Sequence, residues 1–561
     1  MFFWSIAQVS SFEKSNGKET ATYSEIVQWY KLLDKKSTSI KVIELGSTDA
    51  GYPLQLVLVS DDGKFNLTNW HEQNKVVVLI NNGIHPGEPD GIDASMLLLR
   101  DIAIGKVVLP KNVTLAIIPV YNIGGCLNRN STSRVNQNGP SSFGFRGNSQ
   151  NLDLNRDFTK CDSREAKSFA AIFHLLQPTI FIDNHVSDGA DYQHTMTLIT
   201  TQYDKLGPVI GPWVRDFFEP VIYANMKKKG WDMIPYVDFE FADFDKGMTM
   251  FYDPPRYSSG YTSLFNTISF VPETHMLKPY AQRVKSTYDL MSGIIEEASK
   301  NAATLIQKRK EADMASITQQ QFPLKWEPID SSVSTIFFQG YEKDSALSEA
   351  TGLTKMYFDH SRPFIKEIKY FNRFRAQDII KKPRAYIIPA GWEEVIARLK
   401  MNQVKLHQLK CDTSILVTAY HIDDYKSLSK AYEKHHKNYG VKVSASSEQH
   451  PFLKGDYLVY LDQVSDRYLI EMLEPTGDDG FFAWNFFDGI LQQKEGYSDY
   501  RWEELAAEAL KSDSILREKL DHKKATDPIF ARDAQKILDF IYRNSSYYEK
   551  SHMMYPVYRI E

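Results

Sequence analysis

The chain has 561 residues, 66 basic and 71 acidic side chains and a net charge of −5, so it is longer than one ordinary domain and lacks the basic excess expected of a nucleic-acid binder. Its 42% apolar and 13% aromatic content is enough for more than one buried core, and no stretch reaches the roughly 18 consecutive apolar residues that a membrane span needs. Three cysteines, Cys126, Cys161 and Cys411, are too few and too scattered for a disulfide framework or a cysteine zinc site.

Residues 1–18 open on Met1-Phe2-Phe3-Trp4 and read as an N-terminal leader or signal remnant, although the basic start of a full secretion signal is missing. The expected place of action is therefore secreted or periplasmic. An amphipathic helix follows over 19–34, with Thr20, Thr22 or Ser24 as its cap. Two strands, 39–47 and 52–60, flank the turn-forming Thr48-Asp49-Ala50-Gly51.

The run 75–80 is solid Val, Leu and Ile after its lysine, which suits a strand buried on both faces of a parallel sheet. Helical spacing resumes from Asp93 to Ile102, and further strands are expected at 114–121, 179–183 and 267–271. Between them Asp162-Ser163-Arg164-Glu165 opens a helix carrying Phe169, Ile172, Phe173 and Leu176 on one side. One long helix over 286–309 closes the unit. This βα alternation predicts an α/β domain over 19–317, with a mixed, mostly parallel central sheet and helices on both faces.

Residues 318–330 contain three glutamines and two prolines and read as a linker. After them the texture changes. Short strand-like segments at 335–339, 364–370, 385–388, 415–420, 457–461 and 469–473 predict a β-rich or α+β accessory region over 331–561. Within it, His435-His436 reads as a solvated helical face, and the aromatic run from Phe481 to Phe487 as core or domain interface.

Chemistry concentrates at strand ends, where open α/β sheets place their ligand sites. His85-Pro86-Gly87-Glu88 follows the strand at 75–80, Asn184-His185 ends the strand at 179–183, and Glu273 follows the strand at 267–271. Catalytic zinc takes three ligands from imidazole and carboxylate and keeps a position for water, so a His-x-x-Glu with a distant second histidine is a plausible set. A single His-x-x-Glu among 14 histidines is a weak signal; three strand ends with matching groups are a stronger one.

In order, His85-x-x-Glu88, Gly144-Phe145-Arg146, Asn155-Arg156, His185 and Glu273 resemble the pattern of the zinc carboxypeptidases, closest to bacterial members, over roughly residues 20–310. The resemblance implies one zinc ion per chain on His85, Glu88 and His185, and hydrolysis of the C-terminal peptide bond by water activated at that zinc. Glu273 would be the general base. Arg146, with Arg134 as the alternative, would stabilise the oxyanion, and Asn155 and Arg156 would grip the terminal carboxylate of a peptide substrate. A capping tyrosine is expected among Tyr252, Tyr257 and Tyr261, with Tyr257 favoured by the Ser259-Gly260 behind it.

Here the base sits in Pro272-Glu273-Thr274-His275, and no acid lies between Tyr257 and Glu273, so a small or apolar terminal residue is the expected specificity. His194 and His275 are candidates to orient a ligand or the base. A zinc amidohydrolase acting on small N-acyl amino acids or cell-wall peptides is the alternative enzyme. A non-catalytic peptide-binding protein on the same fold would have lost at least one of these groups, and none is lost.

Overall fold

The computed structural model describes residues 8–67, 69–237 and 246–561. Residues 1–7 of the expected leader lie outside them. The rest of that segment is part of the folded body: Ser11–Lys14 is a helical turn closed by a capping box between Ser10 and Glu13, and Glu13 pairs with Arg100 at 2.5 Å.

Among the described residues, nine strands fall before position 276: β1 Ile40–Ser47, β2 Pro53–Val59, β3 Val76–Asn82, β4 Val113–Ile118, β5 Ile180–Ser187, β6 Met196–Thr200, β7 Ile234–Pro235, β8 Met248–Thr249 and β9 Ile268–His275. All but β8 join one sheet in the order β1-β2-β4-β3-β5-β9-β6-β7. The centre, β4-β3-β5-β9, is parallel; β1 and β2 run antiparallel to their neighbours, β6 runs antiparallel to β9, and β7 runs parallel to β6. This is the mixed, mostly parallel sheet that the βα alternation predicts.

Side chains alternate across a strand, so a strand buried on both faces must feed two cores. In β3, Val76, Val78 and Ile80 join one cluster, with the helices Tyr23–Lys36, Asp90–Ala103 and Tyr280–Lys300. Val77 and Leu79 join the other, with Phe169 and Phe173 of the helix Arg164–Leu176. Thr22 caps the first of these helices, and Ser163 rather than Asp162 caps the last. The single helix expected over 286–309 is two, Tyr280–Lys300 and Ala302–Thr318, which meet at Asn301.

Where a linker is expected, Gln321–Pro328 is strand β10, paired with β13 Phe374–Lys381. Its prolines are tolerated because it is the edge of a two-stranded ribbon. A long hairpin, β11 Ser334–Leu347 and β12 Thr354–Phe371, adds β8 to its edge. A six-stranded sheet follows, from β14 Ala385–Ile388, β15 His407–Gln408, β16 Thr413–Ser427, β17 Asn438–Phe452, β18 Tyr457–Tyr460 and β19 Tyr558–Ile560. Residues 469–473 are not a strand: Asp466–Leu473 is a helix that buries Tyr468, Leu469, Met472 and Leu473 at helical spacing.

The C-terminal region packs directly on the second core. Ile388, Val395, Leu399 and Tyr468 share one cluster with Phe173, Tyr261 and Phe265, and Phe481, Phe482 and Phe487 belong to it as well. A small separate core at Trp502, Leu516, Leu520 and Ile541 joins three helices near the C-terminus. Among the described residues, no helix is long and apolar enough to cross a membrane, and the three cysteines are free.

Candidate metal centre and active site

β3 ends at Asn82, and the next turn carries His85 and Glu88 into the start of the helix Asp90–Ala103. Gly83, at φ +66°, and Gly87 let that turn fold tightly; a Cβ on Gly87 would stand 2.9 Å from Arg134 Cδ and 3.0 Å from the Gly144 carbonyl. His185 lies on β5 directly opposite Glu273 on β9. Glu273 is therefore inside its strand, not beyond its end, and the parallel register sets the two side chains side by side.

His85, Glu88 and His185 are buried, and one potential ligand atom from each lies within 4.8 Å of the others. Both histidines turn Nδ1 to Glu88, at 3.2 Å from Oε1 and 3.1 Å from Oε2. Their Nε2 atoms are held by carboxylates: Asp153 at 2.8 Å from His85, Asp183 at 3.1 Å from His185. This arrangement orients metal-bound imidazoles. His85 Nδ1 makes no hydrogen bond although it is buried, so the donor set fits a cation and leaves a nitrogen that one would satisfy.

The electrostatics agree. Burial opposes the charge on Glu88, but the facing His85 and Arg134 hold its carboxyl well below the usual range. Burial likewise opposes a charge on His185, yet Asp183 and Glu88 raise it well above the ordinary imidazole value. The same surplus of carboxylate that favours a proton there favours a divalent cation. Glu273 is pushed up to about 8, chiefly by burial and further by the charge of Glu88, while His185 and Arg134 pull the other way. A cation on the three ligands would lower it toward neutrality.

A cavity of about 430 Å³ collects these ligands with Arg134, Arg146, Asn155, Arg156, Tyr257 and Glu273. Arg134 spends its donors on Glu88, Gln137 and the Val186 carbonyl. Arg146 gives Nε and Nη2 to Asp153, and its Nη1 is 3.7 Å from Glu88. The guanidinium of Arg156 lies 4.1 Å from the centre of the Tyr257 ring. Tyr261 is buried against His174 and Asn402, and Tyr252 faces Lys205 and Phe374; neither lines this cavity.

Several contributors escape the sequence reading. Asp153 stands in Asp153-Leu154-Asn155-Arg156, and Asp183 precedes His185 by two on the same strand face, a spacing that could have marked it. Ser258 donates to Asp183 at 2.6 Å. Asp253 lines the cavity, and Glu433, from the C-terminal region, accepts from the Asp153 amide at 2.8 Å. His194 and His275 orient nothing here: their rings bond the carbonyls of Asp232 and Ala190. His435 is no solvated helical residue but part of a hairpin turn, 2.7 Å from Asp162.

Fold and donor set together define a zinc metallopeptidase. Residues 26–173 match the family described as zinc carboxypeptidase. The match contains His85, Glu88, Arg134, Arg146, Asn155 and Arg156 and ends before His185 and Glu273. Among solved structures, a metallo-carboxypeptidase from Burkholderia cenocepacia is similar at 16% identity and a TM-score of 0.37, over 50% of this chain and 70% of that one. The carboxypeptidase A of Helicoverpa armigera is similar at 14% identity and a TM-score of 0.36, over 51% and 74%. No curated protein matches the chain.

Proposed function

We propose that the chain is a metallocarboxypeptidase that removes one residue at a time from the C-terminus of peptides, with a secreted or periplasmic place of action. The observation that carries this is the company Arg156 keeps. A guanidinium backed by Asn155 and Tyr257 shares a cavity of about 430 Å³ with the His–Glu–His group and Glu273, which suits a ligand the size of a terminal residue and its peptide bond.

His85, Glu88 and His185 would hold one zinc ion through Nδ1, Glu88 and Nδ1. When bound, zinc supplies a Lewis acid that acidifies water and polarises a carbonyl. Glu273, across the strand pair from His185, takes the proton of the attacking water and returns it to the leaving amine. Its partial burial keeps a carboxyl basic enough for both steps. Arg146, less tied down than Arg134 and open to the cavity, stabilises the oxyanion. Arg156 takes the substrate's terminal carboxylate, bidentate where geometry allows, and Tyr257 packs over it.

The part of the cavity lining beside Glu273 sets the terminal residue. Val271 lies two residues before Glu273 on the same face of β9 and pairs with Ile199 of β6; with Phe251 they form apolar walls. One charge interrupts them. The carboxylate of Asp253, a residue only 6% exposed, has no hydrogen bond or ion pair among the described residues, while its main-chain carbonyl is held by Lys205. A carboxylate without a hydrogen bond or ion pair, in a cavity also lined by Ile199, Phe251 and Val271, fits the head and stem of a terminal lysine or arginine. This reading replaces the apolar specificity expected from the segment between Tyr257 and Glu273.

The test is cleavage of N-blocked dipeptides ending in free or amidated lysine, by the zinc-loaded wild type and by Glu273→Gln. The expected result is cleavage of free ends only, and a loss of roughly 10²–10⁴-fold in Glu273→Gln with zinc still bound. Equal cleavage of amidated ends would remove the role given to Arg156, and absence of zinc from the wild type would remove the whole assignment.

A further inference from the structure

The hairpin of β16 and β17 extends beyond its paired strands, and its tip lies against the metal site. The tip is a two-residue turn: Tyr432 and His435 exchange main-chain hydrogen bonds of 2.7 and 3.1 Å, and Glu433 and Lys434 stand between them at φ 48° and 75°. Two consecutive left-handed residues define the turn that Asn-Gly forms with little strain. Glutamate and lysine are poor choices for it, and strained backbone that persists is often kept for what it places.

What this turn places is Glu433. Its Oε2 accepts from the main-chain N–H of Asp153 at 2.8 Å, across 280 positions of sequence. Asp153 is the group on which the site converges. Its Oδ1 is 2.8 Å from His85 Nε2 and accepts from the Asn155 amide at 2.9 Å, and its Oδ2 accepts from Arg146 Nε at 2.9 Å. The turn itself is anchored: His435 pairs with Asp162, Tyr432 stacks on Trp484 with 16° between the rings, and Asn438 donates to the Ala483 carbonyl at 2.8 Å.

We propose that Glu433 is a positioning residue for the metal centre, through which the C-terminal region fixes Asp153 and hence the orientation of His85 and Arg146. The inference rests on the zinc site assigned above and adds a task for the C-terminal region. Glu433 touches neither metal nor substrate in this scheme. It satisfies the one N–H of Asp153, whose two carboxylate oxygens already hold the imidazole, the guanidinium and the following amide.

The experiment measures zinc affinity by competition with a chelator on the full chain, with thermal unfolding of each apoprotein as the control for folding. Glu433→Ala, and the double change Glu433→Asn with Lys434→Gly, are expected to weaken zinc binding by about tenfold, the low end for residues outside the ligand sphere. Glu433→Gln keeps an amide oxygen that can accept from Asp153 and should lose far less. The double change also relieves the turn, so its Tm should hold or rise, and weaker zinc binding then could not be laid to unfolding. Unchanged zinc affinity in both the alanine and the double variant overturns the proposal while the carboxypeptidase reading stands; a wild type that binds no zinc overturns both.

Discussion

A buried carboxylate is costly until a cation meets it, so Asp253 is the side chain whose loss should change which peptide is cut rather than whether any is cut. Burial pushes it up to about 7, with Lys205 and Arg156 opposing, which leaves it receptive to a cationic head. Asp253→Asn is expected to lower the ratio of kcat/KM for terminal lysine over norleucine by about tenfold or more, on the scale of a desolvated charge pair. A ratio that stays put would assign that part of the cavity to apolar residues. Asp183→Asn tests the other side of the centre: it removes the charge that orients His185, and zinc affinity should fall by about 10–100-fold in the same chelator competition. His85, Glu88, His185 and Glu273 are legible in the sequence because each sits at or near the carboxyl end of a buried strand. Glu433 is not, because only the folding of a distant hairpin brings it to Asp153.

At the scale of elements, the centre depends on a turn that must lie flat. The segment 83–89 carries two of the proposed ligands between β3 and its helix, and it presses on Arg134 and on the Gly144 carbonyl with no room for a Cβ at position 87. Gly87→Ala should therefore displace Glu88 or Arg134, weaken zinc binding and lower Tm by a few degrees, on the order of 1–3 kcal/mol of overpacking, read by calorimetry with and without zinc. A wild-type Tm and zinc affinity would show that Arg134 yields freely. Elements with a clear period are those the sequence declares: the apolar run in β3 can only be a strand buried on both sides. β11 and β12 are not declared at their full length, because most of their outer residues are exposed and carry no alternation. The helix Asp466–Leu473 is missed for the opposite reason, being so buried that its apolar run reads like a strand.

The two halves of the molecule are one folded body, and a histidine reports on the seam between them. His174, on the helix Arg164–Leu176, bonds Asn402 Oδ1 at 3.1 Å beside Tyr261, and Asn402 in turn donates to Tyr468 at 2.9 Å, so catalytic and C-terminal residues share one buried polar network. Burial pushes His174 down to about 4, far below an exposed imidazole, despite the help of Asn402. The folded protein therefore keeps this ring neutral at a pH where the unfolded chain protonates it. The stability it contributes is complete above about 6.5 and is lost as pH falls toward 4, at roughly 1.4 kcal/mol per unit and on the order of 3 kcal/mol in all. His275, also held down to about 4 by burial, adds a term of the same sign. Glu273 and Asp253, raised by burial, act with the opposite sign, so in urea unfolding from pH 8 to 4.5 the contribution of His174 is read as the difference in slope below pH 6.5 between the wild type and a variant without the imidazole. His174→Gln, which keeps a neutral donor toward Asn402, should start lower at pH 8 for lost ring packing against Phe265 and then fall less steeply, by about one proton's worth of slope. Parallel slopes in the two proteins would mean that His174 takes up its proton without opening the seam, and that acid loosens the molecule elsewhere.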